Sequence, residues 1–123
     1  MSDRAVFALH EKLIEEFGGT QGIANKGLVE SALTRPRNLF LYEKSSIQRL
    51  AACYAHGICQ NYGFVDGNKR TAFVTMRVFL RKNGFDLTAT EAELVETFLA
   101  LAAVELSEDA LFEWLMTHSQ KLP

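Results

Sequence analysis

The sequence predicts an all-α protein, a compact bundle of about six helices built as one domain over residues 1–123. Three observations predict this class. Apolar residues recur every three or four positions in six segments, and cap or turn residues separate these segments. Strand signals are nearly absent, since "GFDLTA" (84–89) is the one short extended candidate. At 123 residues, 48% hydrophobic and 23% charged, the chain has the size and composition of one globular domain.

The first two helices are predicted from apolar spacing and glycine. Helix one carries an apolar face and ends at Gly18-Gly19. After the glycine-rich loop "GGTQGIANKG", a short second helix is expected within "LVESALTRPR" (28–37), and Pro36 is expected to stop it because a proline disfavours helical backbone at the residue before it, Arg35. Residues 38–46 are expected to form a partly exposed connection. The apolar positions are Val6, Leu9, Leu13 and Phe17 in helix one and Leu28, Ala32 and Leu33 in helix two.

Helices three and four are the most apolar segments. Ser45 or Ser46 is expected to cap helix three, which ends near 61–63. Helix four, over 71–82, is apolar around most of its circumference, so it is predicted at the middle of the bundle. Asn83-Gly84 provides its left-handed stop.

Capping residues predict the last two helices. Thr88 with Glu91, or Thr90 with Glu93, offers a capping box that opens helix five. Ser107 followed by two acidic residues caps helix six.

Composition limits the class of function. The net charge of −2 and the pI of about 5.9 argue against direct nucleic-acid binding. No apolar run approaches the roughly 20 residues that span a bilayer, and the first residues lack a secretory signal, so a cytoplasmic protein without membrane contact is expected. Cys53 and Cys59 lie six residues apart and are interpreted as buried, reduced thiols.

The stretch "NYGFVDGNKRTAF" (61–73) has the residues of a phosphate and metal site. Gly67 allows a left-handed turn, after which the amides of residues 68–70 would point out of the next helix and attract anions. Lys69 and Arg70 add positive charge, and Asp66 is the one carboxylate in the loop, as Mg²⁺ bound to phosphates requires. Phe64 and Phe73 are expected to anchor the loop on the core. The alternative is an ordinary Asp-Gly turn with solvent-facing cations.

Residues 62–70 resemble the signature loop of the Fic/Doc family, which in its Doc branch runs H-x-F-x-D-[AG]-N-K-R followed by Thr-Ala. The segments "ALHEKLIEEFGG", "GLVESALTRPRN", "AACYAHGI", "FLRKNGF" and "LFEWL" also resemble death-on-curing toxins. The resemblance implies a small all-α fold, in agreement with the helix count.

The resemblance also implies a chemistry. Asp66 would hold Mg²⁺, Asn68 would contact phosphate or ribose oxygens, and Lys69 and Arg70 would neutralise charge in the transition state of a reaction with ATP; Phe64 and Gly67 complete the nucleotide-binding set. Lys69 stands where AMP-transferring members carry glycine, which favours transfer of the γ-phosphate to a hydroxyl of a translation protein, of the elongation-factor class. AMP transfer and a non-enzymatic module that binds nucleotide or antitoxin stay open.

Tyr62 departs from the family pattern, which has a histidine as general base at this position. A tyrosine hydroxyl has a reference pKa of about 10 and is a poor base at neutral pH. The sequence therefore predicts an impaired enzyme, through either a natural change or a detoxifying mutation. The chain has three histidines that could replace this base, His56, His10 and His118, and all three are expected to be structural.

The chain lacks the string [ST]-x-x-x-E-[GN] that silences some Fic proteins. Restraint is therefore expected from a cognate antitoxin whose C-terminal segment, disordered alone, folds as a helix into a groove of the toxin.

Overall fold

The computed structural model describes residues 1–123 and contains six helices and a two-stranded sheet. In chain order the elements are α1 (Asp3–Phe17), α2 (Lys26–Glu43), α3 (Ile47–Asn61), α4 (Asn68–Lys82), β1 (Phe85–Leu87), α5 (Glu91–Ala102), α6 (Glu108–His118) and β2 (Ser119–Lys121). The predicted all-α class and the count of six helices are confirmed.

Helix α3, and not α4, forms the centre of the bundle. Nine residues of α3 are buried, whereas six residues of α4 are buried. Helix α3 packs on α2, α4 and α6. Small side chains permit this position: a Cβ atom added at Gly57 would lie 3.2 Å from the Cβ of Ala32 on α2. The prediction that α4 occupies the middle was wrong, because Val74 and Val78 are only half-buried.

Helix α2 is longer than predicted. It passes through Pro36 and continues to Glu43, where Lys44 in the left-handed region (φ 49°) ends it. Proline lacks an N–H, but the Pro36 ring is buried in the core, and Leu39 packs on the core one turn later. The burial of both residues outweighs the local penalty, so the predicted stop at Pro36 and the connection over 38–43 were wrong.

Three predicted caps are confirmed. Ser46 accepts the N–H of Arg49 at 3.2 Å, and Ser107 accepts the N–H of Ala110 at 3.1 Å. Thr90 and Glu93 form the capping box of α5, with reciprocal bonds of 3.2 and 2.9 Å. The helix starts therefore follow local side-chain chemistry.

The predicted extended segment after Gly84 is strand β1. It pairs antiparallel with β2, with Phe85 opposite Lys121 and Leu87 opposite Ser119. Strand β2 was not predicted, because Ser119–Lys121 is polar and three residues long. The pair fastens the end of the chain to the end of α4.

Cys53 and Cys59 are free and buried, as predicted. Burial raises the pKa of the Cys53 thiol to about 12, so this thiol is neutral at physiological pH and is not a nucleophile. None of the helices combines the length and the apolar character needed to cross a membrane.

Candidate active site

The candidate site lies in the loop between α3 and α4, and left-handed residues stand at both ends of this loop. Tyr62 ends α3 with φ 51° and ψ 41°, and its side chain is exposed. Gly67 (φ 76°) is the N-cap of α4. Helix α4 begins at Asn68, three residues before the predicted start, so the loop is shorter than expected and Lys69 and Arg70 belong to the first helical turn.

The first turn of α4 presents free amides. The first backbone bond of the helix runs from the Thr71 N–H to the Gly67 carbonyl at 3.0 Å. The N–H groups of Asn68, Lys69 and Arg70 have no partner, and Gly67 has no side chain to cap them. Free amides and the positive end of the helix dipole together attract anions, so the predicted phosphate-binding helix start has the required geometry.

The Asp66 carboxylate is held by two backbone amides. Its Oδ2 accepts the N–H of Thr20 at 3.1 Å, and its Oδ1 accepts the N–H of Gly67 at 2.8 Å. These bonds, that of Thr20 first, hold the pKa of Asp66 below its usual value, with smaller contributions from Arg70 and His10. Asp66 is therefore ionised at neutral pH and keeps unshared lone pairs for a cation.

The donor set fits Mg²⁺ bound together with phosphates. No group of three His, Cys, Asp or Glu side chains is arranged to hold a metal ion by itself. Asp66 would thus be the protein ligand, and phosphate oxygens and water would supply the others. Mg²⁺ is commonly bound in this way, with one or two carboxylates.

Asn68 fastens the loop to itself. Its Oδ1 accepts the Phe64 N–H at 3.1 Å, and its Nδ2 donates to the Phe64 carbonyl at 2.9 Å. The predicted contact of Asn68 with phosphate or ribose stays a prediction. One N–H of its side-chain amide is left to donate to such an oxygen. The Phe64 ring is buried against Phe7, so Phe64 anchors the loop as expected, and its part in nucleotide binding stays a prediction.

Lys69 and Arg70 are exposed and border a groove between α4 and α5, which we call the α4–α5 groove. Its volume is ≈ 520 Å³. The Arg70 guanidinium lies 4.9 Å from the centroid of the Phe17 ring. The groove is lined by cationic, acidic and apolar side chains: Lys69, Arg70, Phe73, Arg77, Glu91, Leu94, Val95, Phe98 and Leu99. Phe73 is half-buried and meets Phe98 edge-on, so it lines this groove more than it anchors the loop.

Residues 1–80 match the model of the Fic/DOC family. The chain belongs to the Fic/DOC family. It is 28% identical over 116 residues to "Protein kinase doc" of Escherichia phage P1, and this match covers 94% of this chain and 91% of that relative. It is 37% identical over 76 residues to "Toxin Doc" of Mycolicibacterium smegmatis, and this match covers 59% of this chain and 58% of that relative.

The glycine-rich loop after α1 packs against the signature loop, a contact that was not predicted from the sequence. Ile23 and Phe64 form an isolated antiparallel bridge, and the N–H groups of Ala24 and Asn25 donate to the Gly63 carbonyl at 2.8 and 2.9 Å. The signal that pointed to this loop is its glycines, because Gly18, Gly19 and Gly22 all have positive φ.

Of the three histidines of this Fic/DOC chain, His10 is the one that bonds to the signature loop. It is buried, and its Nε2 lies 2.7 Å from the carbonyl oxygen of Asp66. His56 faces Glu108 at 3.8 Å in a polar pocket, so the prediction of a hydrogen-bonded core residue was wrong in part. His118 pairs with Glu93 at 3.0 Å. His56 and His118 thus each face an acidic side chain, and His10 contacts a backbone carbonyl.

Proposed function

We propose that this Fic/DOC chain is a Doc-type toxin built to transfer the γ-phosphate of ATP to a hydroxyl of a translation protein, of the elongation-factor class, and that Tyr62 impairs the transfer. One observation carries the proposal: three free amides at the start of α4 stand beside one ionised carboxylate and two exposed cations. The names of its relatives, a protein kinase and a toxin, support the same class.

The residues of the loop divide the work of binding a triphosphate. The N–H groups of Asn68, Lys69 and Arg70 donate to phosphate oxygens, and the Arg70 guanidinium donates to two oxygens through its planar fork. Asp66 would hold Mg²⁺, which neutralises phosphate charge when bound. Because the amides are fixed before a nucleotide arrives, they stabilise transition-state charge without reorganisation.

Lys69 favours γ-phosphate transfer over AMP transfer. In AMP-transferring members glycine at this position leaves the backbone open, so that α- and β-phosphates settle against it. Here a long cationic side chain is placed at the first turn of α4 and borders the α4–α5 groove. Its charge favours a phosphoryl group at the mouth of the site, where a protein hydroxyl arrives.

In this proposal Tyr62 stands where the family's general base takes the proton of that hydroxyl, and a neutral tyrosine is a poor base. It ends α3 directly before the loop, and more than half of its side chain is exposed. Removal of a general base commonly costs about 10²- to 10⁴-fold in rate. The phosphate site is formed by other residues, so nucleotide binding survives where transfer does not.

We also propose that the α4–α5 groove receives the C-terminal segment of a cognate antitoxin. Val95 and Leu99 are 54% and 53% exposed, which is unusual for adjacent turns of an apolar helix face. Lys69, Arg70 and Arg77 stand on the α4 side. An amphipathic helix with acidic residues fits both features, and it would cover the phosphate-binding cations.

The Tyr62→His protein tests the reaction. It is incubated with ATP labelled at the γ- or the α-phosphate, with a cell extract and then with purified translation factors, and the product is read by mass spectrometry. A phosphate on a protein hydroxyl supports the proposal. An AMP adduct supports the alternative transferase, and no adduct on any protein supports a non-enzymatic binder. The parent and Tyr62→Phe proteins serve as controls.

A further inference from the structure

We propose that His10 is a positioning residue, which fixes the Asp66–Gly67 peptide so that the metal-binding carboxylate and the phosphate-binding amides face the nucleotide. The role of the peptide in catalysis rests on the function proposed above, whereas the positioning itself does not. His10 is buried in α1 and lies 56 residues before Asp66 in the chain.

The His10 ring has two fixed contacts. Its Nε2 donates to the Asp66 carbonyl oxygen at 2.7 Å, and its ring is stacked on Phe64, with centroids 3.8 Å apart and planes 9° apart. A carbonyl oxygen only accepts, so Nε2 must carry the proton. The stack fixes the plane of the ring, and the ring thereby fixes the direction of the carbonyl.

The Asp66–Gly67 peptide is held at both ends. His10 binds its oxygen, and its N–H donates to Oδ1 of Asp66 at 2.8 Å. The other carboxylate oxygen accepts the Thr20 N–H from the loop after α1. We call these three bonds the Asp66 clasp. Backbone and side chain of Asp66 are thus both positioned by α1 and the loop that follows it.

The clasp also leaves the Arg70 amide free. In an α-helix that began one residue earlier, the Asp66 carbonyl would accept the Arg70 N–H, since helical bonds join residues four apart. Instead His10 engages this oxygen, and the first bond of α4 is that of Thr71. Without the His10 donor, the carbonyl can turn toward the helix and take one of the three anion-binding amides.

The packing of α1 leaves little room for another arrangement. A Cβ atom at Gly67 would lie 2.9 Å from Cδ1 of Ile14 and 3.7 Å from the His10 ring. His10 and Ile14 are one helical turn apart on the same face of α1. The left-handed turn at Gly67 therefore packs directly against this face of α1.

Two substitutions separate the donor from the packing. His10→Phe keeps an aromatic ring against Phe64 and removes the donor, whereas His10→Gln supplies an amide N–H of similar reach. His118→Phe is the matched control, because His118 is also stacked on an aromatic ring, that of Trp114, and bonds to Glu93 and not to the loop.

The first readout is structural and uses the chain with Tyr62 in place. NMR of the His10 ring nitrogens is expected to show the proton on Nε2. Hydrogen exchange of the Arg70 amide, which has no partner in the structure, is expected to be slower in His10→Phe than in the parent or in His10→Gln, because the released Asp66 carbonyl can then accept this N–H. A proton on Nδ1 of the neutral ring, or Arg70 amide exchange that is unchanged in His10→Phe, would overturn the proposal. If His10→Phe does not fold, the proposal is still tested by the ring-nitrogen spectrum of the parent and by the same measurements on the His10→Gln protein.

The second readout is kinetic and uses the Tyr62→His background. His10→Phe is expected to lower kcat at least about tenfold, because small displacements of catalytic groups are costly, and to raise the Mg²⁺ concentration at half-saturation. His10→Gln should recover most of the rate, and His118→Phe should equal its parent. Equal losses in His10→Gln and His10→Phe, with both folded, would contradict the clasp. An inactive Tyr62→His parent would count against the proposed function, and the ring-nitrogen spectrum and the Arg70 amide exchange would still test the clasp.

Discussion

Tyr62 is the residue on which the proposed impairment of transfer depends. It is exposed, so Tyr62→His is expected to change the free energy of unfolding by no more than about 0.5 kcal/mol. Transfer to a protein hydroxyl should rise by about 10²- to 10⁴-fold, with a pH dependence whose midpoint lies near the histidine reference pKa of about 6.5. Initial rates between pH 5 and 9 measure both effects.

Tyr62→Phe is the control for this prediction. If the tyrosine hydroxyl takes no part, the Phe variant should be as slow as the parent. A Phe variant much slower than the parent would show that Tyr62 itself acts as a base, and the impairment would then be smaller than proposed.

Gly19 determines how closely the glycine-rich loop approaches Asp66. A Cβ atom there would lie 2.8 Å from Oδ2 of Asp66, and φ is 120°. Gly19→Ala is expected to weaken the Thr20 bond to Asp66, to raise the Asp66 carboxyl pKa toward its usual value, and to cost about 1–2 kcal/mol of stability. Carboxyl NMR titration and urea unfolding measure the two effects.

Gly18→Ala is the matched control for Gly19→Ala. Gly18 also has a positive φ, of 89°, but no atom lies within 4 Å of its added Cβ. It should lose stability through backbone strain and leave the Asp66 titration unchanged. Equal shifts of the Asp66 pKa in both variants would mean that backbone strain, and not the contact, controls this carboxylate.

At the scale of single residues the sequence identified the loop but not what positions it. Asp66, Gly67, Lys69 and Arg70 are contiguous, and local turn and helix rules give their geometry. The supports come from far away, since Thr20 and His10 precede Asp66 by 46 and 56 residues. No local rule joins residues at such separations, so only the folded chain shows that a buried histidine of α1 belongs to the site.

At the scale of elements, the β1–β2 pair depends on a charged contact at the end of α4. Asp86 bonds to Arg81 at 2.7 Å and lies 3.4 Å from Arg77. The Arg81 bond, the Leu87 N–H and the charge of Arg77 lower the pKa of Asp86 to about 2. A lowered folded-state pKa stabilises the protein above the unfolded pKa of about 3.9, and this contribution is lost as the pH falls from about 4 to about 2.

Asp86→Asn is therefore expected to destabilise the protein at pH 7 and not at pH 2. The loss at pH 7 should be roughly 1 kcal/mol, since the partner Arg81 is half-exposed and solvent screens the pair. Urea unfolding at both pH values measures it, with Glu43→Gln as a control at an exposed carboxylate outside the ion pairs. A difference that persists at pH 2 would assign the loss to the Leu87 N–H bond instead of to charge.

Helix boundaries were predicted well where a side chain caps the helix, and poorly where burial in the core determines whether the helix continues. Ser46, Thr90 and Ser107 act through bonds within three residues, so the sequence alone located them. Pro36 misled the prediction because its ring is buried, and that burial depends on α3 and on the remainder of the core. The central position of α3 likewise depends on small residues such as Gly57. These residues let α2 pack closely on α3, which only the folded structure shows.

At the scale of the whole molecule, the signature loop and the α4–α5 groove share two side chains. Lys69 and Arg70 lie at the start of α4, the proposed phosphate site, and also border the groove. A helix seated in the groove would therefore compete with nucleotide for the same cations. If an antitoxin binds as proposed, it would inhibit by occupying this existing surface.

This arrangement predicts the effect of a charge placed in the groove. Leu99→Asp is expected to weaken binding of the antitoxin's C-terminal peptide by at least about tenfold, or about 1.4 kcal/mol, because a carboxylate replaces an apolar contact beside an acidic ligand. Leu41→Asp is the matched control, since Leu41 is 67% exposed on α2 and lies outside the groove. Calorimetry with each variant, repeated with saturating ATP and Mg²⁺, measures both binding and competition. Equal weakening by Leu41→Asp, or peptide binding that ATP leaves unchanged, would place the antitoxin elsewhere on the toxin.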